Sequence, residues 1–132
     1  MILPESVTRI RQSAFEGCTA LSKVVIPNSV TQIFSEAFKD CTSLTEITVP
    51  DSVEYMYDRV FEGCTSLTQA TFPNRAASIS EGLFSGCTAL REICYNGTLS
   101  EWNRLPKNAN WLKNVLALTL RCTDRTVDGY TA

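Results

Sequence analysis

Apolar residues recur along the chain at a fixed step of 23 positions. Ile10, Ile33, Met56 and Ile79 form one column, and Phe15, Phe38, Phe61 and Phe84 a second. Leu21, Leu44, Leu67 and Leu90 form a third, and Val24, Ile47, Ala70 and Ile93 a fourth. Cys18, Cys41, Cys64 and Cys87 keep the same step, as do Pro4, Pro27, Pro50 and Pro73. Six columns in register over four copies, with no insertion, exclude coincidence and mark a repeat array.

Within a copy, Leu21-x-x-Val24-x-Ile26 ends in alternation, which predicts a short strand with Val24 and Ile26 on one face. Pro27 lacks an amide donor and has a restricted φ, so it closes that strand. Ser6, Ser29 and Ser52 follow in the turn, where a hydroxyl can satisfy backbone groups, and Arg75 breaks that column. Val30, Ile33, Ala37 and Phe38 then fall at three- and four-residue steps, which predicts a helical turn or short 3-10 segment on the opposite side. Each copy is one coil. A single coil buries too little to offset its ordering entropy, so the coils must stack into a solenoid.

The repeat defines residues 1–95 as four units of 23, with 96–132 as a C-terminal capping segment. Asn96-Gly97 marks a turn, and Thr98 followed by Glu101 is a capping box opening a helix that runs to about Leu105 and stops at Pro106. Tyr95, Trp102 and Trp111 supply aromatic mass to cover the open end of the stack. Val115–Leu120 is expected as a buried strand, and residues 124–129, which lack the ligand spacing of a calcium loop, as a tail. At the other end, Met1-Ile2-Leu3 reads as the second half of a strand. The first coil is therefore expected to be uncovered, a possible surface for homo-oligomerisation.

The motif Leu21-x-x-Val24-x-Ile26-Pro27, then Ile33, then Ala37-Phe38-x-x-Cys41, resembles the BspA-like bacterial leucine-rich repeats over residues 2–95. The order of YNGT, two tryptophans and a cysteine after Tyr95 resembles the cap that follows such arrays. The chain departs from the family after the isoleucine, where glycine is usual and Arg11, Phe34, Tyr57 and Ser80 stand here. The resemblance implies an α/β class fold. The fold so implied is a right-handed leucine-rich-repeat solenoid, a short horseshoe segment with a parallel sheet on the concave face and short helical or 3-10 pieces on the convex side. It also implies a cell-surface or secreted protein engaged in adhesion and protein contacts, although the chain opens without a signal peptide. The alternative is a structural piece that extends and caps a longer repeat stalk without a ligand of its own.

Composition narrows the chemistry. With no histidine there is no Ser-His or Cys-His pair and no HExxH zinc site. No catalytic residue, metal ligand set or cofactor motif is identified, so the expected role is not enzymatic. A net charge of −2 argues against nucleic acid, and no apolar run is long enough to span a membrane. The cysteine column could be a disulfide framework, a metal site or a nucleophile series. A ladder of single thiols one coil apart does not converge on a metal, and buried free thiols are expected. Cys94 alternates outward and is expected to be the one accessible thiol. Glu46 and Glu92, two coils apart, have no pocket to make them a glycosidase pair.

Two sets of residues remain as candidate binding positions. Alternation turns Lys23 and Val25, Glu46 and Thr48, Gln69 and Thr71, and Glu92 and Cys94 outward on successive strands, a mixed polar surface. Phe34, Tyr55 and Tyr57 occupy columns that elsewhere hold Arg9, Gln32, Ser78, Arg11 and Ser80, so these rings are expected to be at least partly exposed. Clustered exposed aromatics have the composition of binding hot spots, although neighbouring rings could also simply stack along the solenoid edge. The expected partner is a protein or a surface glycan.

Overall fold

The computed structural model describes all 132 residues, and they wind as a solenoid of about five turns. The main sheet has the order β3 (Glu46–Thr48), β5 (Gln69–Phe72), β6 (Glu92–Tyr95), β7 (Leu118–Arg121) and β8 (Thr126–Tyr130). Its first four strands are parallel and β8 returns antiparallel. Register places Ile47 beside Ala70, Ala70 beside Ile93 and Ile93 beside Leu120, all buried. The expected parallel sheet is thus built by the expected apolar column. Outside this sheet Ile2 makes an isolated parallel bridge with Val25, with Leu3 N donating to Val25 O at 3.2 Å and Val25 N to Met1 O at 2.9 Å.

The opposite side is where the expected helical turn fails. Ile33 lies in a second parallel sheet of two-residue strands, β1 (Arg9–Ile10), β2 (Gln32–Ile33) and β4 (Tyr55–Met56). Beyond it the chain makes overlapping turns, with Ala37 N on Phe34 O at 3.3 Å and Lys39 N on Glu36 O at 3.1 Å. The amides between them are taken by the following coil, for Phe38 N donates to Val60 O at 2.9 Å and Asp40 N to Glu62 O at 2.8 Å. A helix needs consecutive amides for its own carbonyls, and here alternate ones are already committed to a neighbour. Left-handed residues recur in step: Ser13, Glu36, Arg59 and Gly82 in one column, Gly17, Asp40, Gly63 and Gly86 in the other. At Gly63 a Cβ would run into the Asp40 carboxylate from the preceding coil, so glycine leaves room for that side chain.

Between the sheets lies one core. The phenylalanine column stacks with centroid separations of 5.2 Å (Phe15–Phe38), 5.7 Å (Phe38–Phe61) and 5.7 Å (Phe61–Phe84). Beside it runs the cysteine column. Cys41 Sγ donates to Phe15 O at 3.1 Å, Cys64 Sγ to Phe38 O at 3.1 Å and Cys87 Sγ to Phe61 O at 3.0 Å. A thiol suits the slot because it is small and apolar yet can donate weakly to the second lone pair of a carbonyl that already accepts a turn amide, as Phe15 O does from Cys18 N.

After Tyr95 the 23-residue spacing ends, but the coil does not. Arg59 N, Phe61 N and Gly63 N bond to Glu81 O, Leu83 O and Ser85 O, and one coil later Gly82 N, Phe84 N and Gly86 N bond to Ala109 O, Trp111 O and Lys113 O. Each acceptor is 28 positions beyond its predecessor instead of 23. The lengthened coil contains α1 (Leu99–Arg104), capped by Thr98 through the expected box. Leu112 therefore stands in the phenylalanine column, and Asn110 and Asn114 take the left-handed places of Gly82 and Gly86.

Two cap expectations need correction. The strand predicted over Val115–Leu120 begins only at Leu118, and Leu116 is 80% exposed. Residues 115–117 are consumed carrying the chain from the Asn114 corner to the sheet. The expected tail at 124–129 largely forms β8, whose Val127 pairs with Leu120 and whose Tyr130 pairs with Leu118. A five-residue insertion had removed the register from which both could be read.

Candidate functional site

The candidate positions fall on two different sheets. On the main sheet, alternation about the buried Ile47, Ala70 and Ile93 turns Glu46, Thr48, Gln69, Thr71, Glu92 and Cys94 outward, as expected. Their side chains form two short groups. Lys23 Nζ lies 4.0 Å from Glu46 Oε1, a long pair between two exposed groups. Further along, Gln69 Nε2 donates to Glu92 Oε1 at 3.0 Å, and Arg121 Nε to Glu92 Oε2 at 2.7 Å. The Arg121 hydrogen bond holds the Glu92 carboxyl below the usual carboxylate range, against the opposing effect of partial burial. Glu92 is thus a fixed, ionised anchor between coils. Arg121 is the residue that the sequence reading missed, because the insertion hides that it stands beside Cys94.

Cys94 is not the one accessible thiol. Cys18, Cys94 and Cys122 are all half-buried, and Cys94 Sγ sits 3.4 Å from Glu92 Oε1 and 3.6 Å from Gln69 Nε2. Burial raises its pKa, and the adjacent carboxylate adds to that, which is the reverse of nucleophile activation. In the core column, burial and the neighbouring Cys64 push Cys41 up to about 12. Hydrogen bonding with Cys64, together with burial, raises Cys87. All six cysteines are free. Around Lys23, Val25, Glu46 and Thr48 the surface forms a shallow cleft of about 230 Å3, below the roughly 300–1,000 Å3 of small-molecule pockets.

The aromatic group is on the second sheet. Alternation about buried Ile33 and Met56 turns Phe34, Tyr55 and Tyr57 outward. Phe34 is half-buried under Tyr57, with ring centroids 5.0 Å apart and planes 13° from parallel. Tyr55 and Tyr57 lie 6.5 Å apart and are 46% and 39% exposed. Both readings of these rings therefore hold at once: they stack along the edge and they remain open to solvent. Beside them is a small depression of about 110 Å3 bounded by Glu54, Ala77, Ser78 and Ser80. Ser80 is buried, and its hydroxyl donates to Met56 O.

The end of the stack is closed by aromatics meeting edge to face. Trp102, fully buried, lies 5.1 Å from Tyr95, 5.8 Å from Trp111 and 6.3 Å from Phe72. Tyr130, unrecognised in the sequence, completes the cluster and accepts a hydrogen bond from Trp102 Nε1 at 3.2 Å. Lys107 occupies the column of Ile79 and lays its ammonium on the last carbonyls of α1, 2.5 Å from Trp102 O and 3.0 Å from Leu105 O. No helix is long and apolar enough to cross a membrane.

Comparison with known proteins agrees with this geometry. A leucine-rich repeat protein from Bacteroides ovatus is 38% identical over 70% of this chain and 24% of its own, with a TM-score of 0.67. A leucine rich cell surface protein from Faecalibacterium prausnitzii is 30% identical over 83% of this chain and 35% of its own, with a TM-score of 0.64. The pneumococcal vaccine antigen PcpA is 29% identical over 71% of this chain and 24% of its own, with a TM-score of 0.67. The chain thus spans about a quarter to a third of these structures. No curated protein matches it in sequence. The model of the BspA type leucine rich repeat region matches residues 1–106 in six copies, and the chain belongs to that family.

Proposed function

We propose that the chain is a non-enzymatic recognition or adhesion module of a bacterial cell-surface or secreted protein, and that it contacts its partner through the outer face of the second sheet. Its family and its likeness to a cell surface protein and a vaccine antigen support a role in protein interaction. The observation that carries the finer reading is the group Phe34, Tyr55 and Tyr57. Large rings at positions that other coils fill with polar groups add exposed apolar area with no return in core packing. Lys23, Glu46, Thr48, Gln69, Thr71 and Glu92 form a secondary surface, already partly occupied with one another.

Because Tyr55 and Tyr57 are exposed, the double variant Y55S/Y57S should keep the fold. The parent and this variant are applied to immobilised protein and glycan arrays. The expected outcome is a small set of targets bound by the parent and weakened about tenfold or more in the variant, as removal of an interface anchor does. Targets bound equally by both would move the site to the main sheet. An absence of targets would leave the structural alternative, a spacer within a repeat stalk.

A further inference from the structure

The second sheet changes character from coil to coil. Register sets Arg9 beside Gln32 and Gln32 beside Tyr55, and alternation puts Arg11, Phe34 and Tyr57 in the next outward column. With strands about 4.8 Å apart, the arginines stand about 10 Å from the exposed tyrosine rings on one continuous face. Both arginines are exposed, and neither takes part in an ion pair.

Their lack of ion-pair partners contrasts with the turn side of the same coils. On the turn side, Glu36, Lys39, Glu62, Arg59 and Glu81 form one continuous ladder of pairs at 3.1–3.6 Å. The nearest exposed acid to Tyr55, its neighbour Glu54, is held by Arg75 at 3.2 Å. Asp58, next to Tyr57, is the one carboxylate at this face outside an ion pair, and it is half-buried. The chain as a whole is acidic, at −2, so its general field repels acidic partners while this face presents two free cations.

We infer that this face binds an acidic protein segment, with carboxylates opposite Arg9 and Arg11 and an apolar or aromatic side chain against Tyr55 and Tyr57. The inference rests on the aromatic face being the recognition surface. Tyrosine and arginine together are the side chains that dominate protein hot spots, and the adjoining depression of about 110 Å3 is too small to enclose a separate small ligand. Charge complementarity chooses the sign of the partner and quickens its encounter more than it deepens the complex.

The test is selection of a random displayed peptide library on the intact chain at low salt, followed by affinity measurement of the selected peptides. Selected sequences should be rich in Asp and Glu flanking a hydrophobic residue. R9Q/R11Q should weaken them about fivefold, a loss that shrinks as salt is raised, while the thermal midpoint stays unchanged. Y55S/Y57S should weaken the same peptides more. Neutral or basic selected sequences, or acidic ones indifferent to R9Q/R11Q, would overturn the inference. If Y55S/Y57S still abolished their binding, the aromatic recognition surface would stand without it. Peptides indifferent to both variants, or no selected peptide at all, would overturn both readings. Binding confined to sialylated glycans on an array, lost in R9Q/R11Q, would replace the protein partner with an anionic glycan and so overturn the inference as stated.

Discussion

The four regular coils and the fifth solve the same packing problem with different residues. In the regular coils, Phe15, Phe38, Phe61 and Phe84 stack nearly parallel, Gly17, Gly63 and Gly86 take left-handed corners, and Ile10, Ile33, Met56 and Ile79 fill the second sheet. The fifth coil puts Leu112, Asn114 and Lys107 in those places and meets its neighbours edge to face through Trp102 and Trp111. The backbone ladder survives every substitution. Coil geometry is therefore set by which amides reach which neighbouring carbonyls, and the repeated side chains are one of several ways to fill the space that the ladder leaves.

The largest effect expected from breaking this comparison is at Trp102. It touches Phe72, Tyr95, Trp111 and Tyr130, so W102A should cost about 3–5 kcal/mol in urea unfolding. Were the fifth coil only an adornment, the variant would unfold at the parent's urea midpoint.

Next comes Gly63, where φ is +75° and a Cβ would meet Asp40 Oδ1. G63A should cost about 1–3 kcal/mol. Placing it in a D40G background separates two causes, since the collision disappears while the left-handed backbone remains. Asparagine already serves at the equivalent corner Asn114, where φ is +67°, so G63N in D40G is expected to be milder than G63A.

The smallest effect concerns the tie between the fourth and fifth coils, Glu92 with Arg121. Because the folded carboxyl titrates below its usual value, its contribution is complete above the unfolded pKa near 4.3 and is lost as pH falls through the lower folded value. With Arg121 half exposed, solvent screens the pair and its contribution at neutral pH is the smallest of the three. The stability gap between the parent and E92Q, measured in denaturant, should therefore close as pH is taken from 7 to 3. A gap independent of pH would assign the effect to packing.

What could be read in advance follows the same division. The core columns were legible because each apolar type returned at one step, and the capping box because Thr98 and Glu101 act locally. The second sheet was not, since a two-residue strand leaves no alternation to recognise and Ile33 sat equally well on a helical pattern. Nor were the corners at Ser13, Glu36 and Arg59, where the chain accepts left-handed backbone at residues that do not advertise it. The aromatic face was legible as a break in column chemistry. The unpaired state of Arg9 and Arg11 was not, because pairing depends on which coil each acid faces.

The thiol bonds described above run in one direction, and the hydroxyls follow them. Thr31 donates to Thr8 O, Ser43 to Thr19 O, Ser52 to Val30 O and Thr68 to Thr45 O, each reaching back to the coil before it. The thiol donors repeat at each of Cys41, Cys64 and Cys87, each hydroxyl bond is made in a single coil, and the turn amides donate forward at the same 23-residue step. Excising or duplicating 23 residues joins an old backbone donor to an equivalent acceptor, whereas an edit of another length keeps the ladder only where the extra residues are looped out, as they are in the fifth coil. Such a molecule can change reach by whole coils while its fifth coil stays as it is, so length is an easily inherited variable.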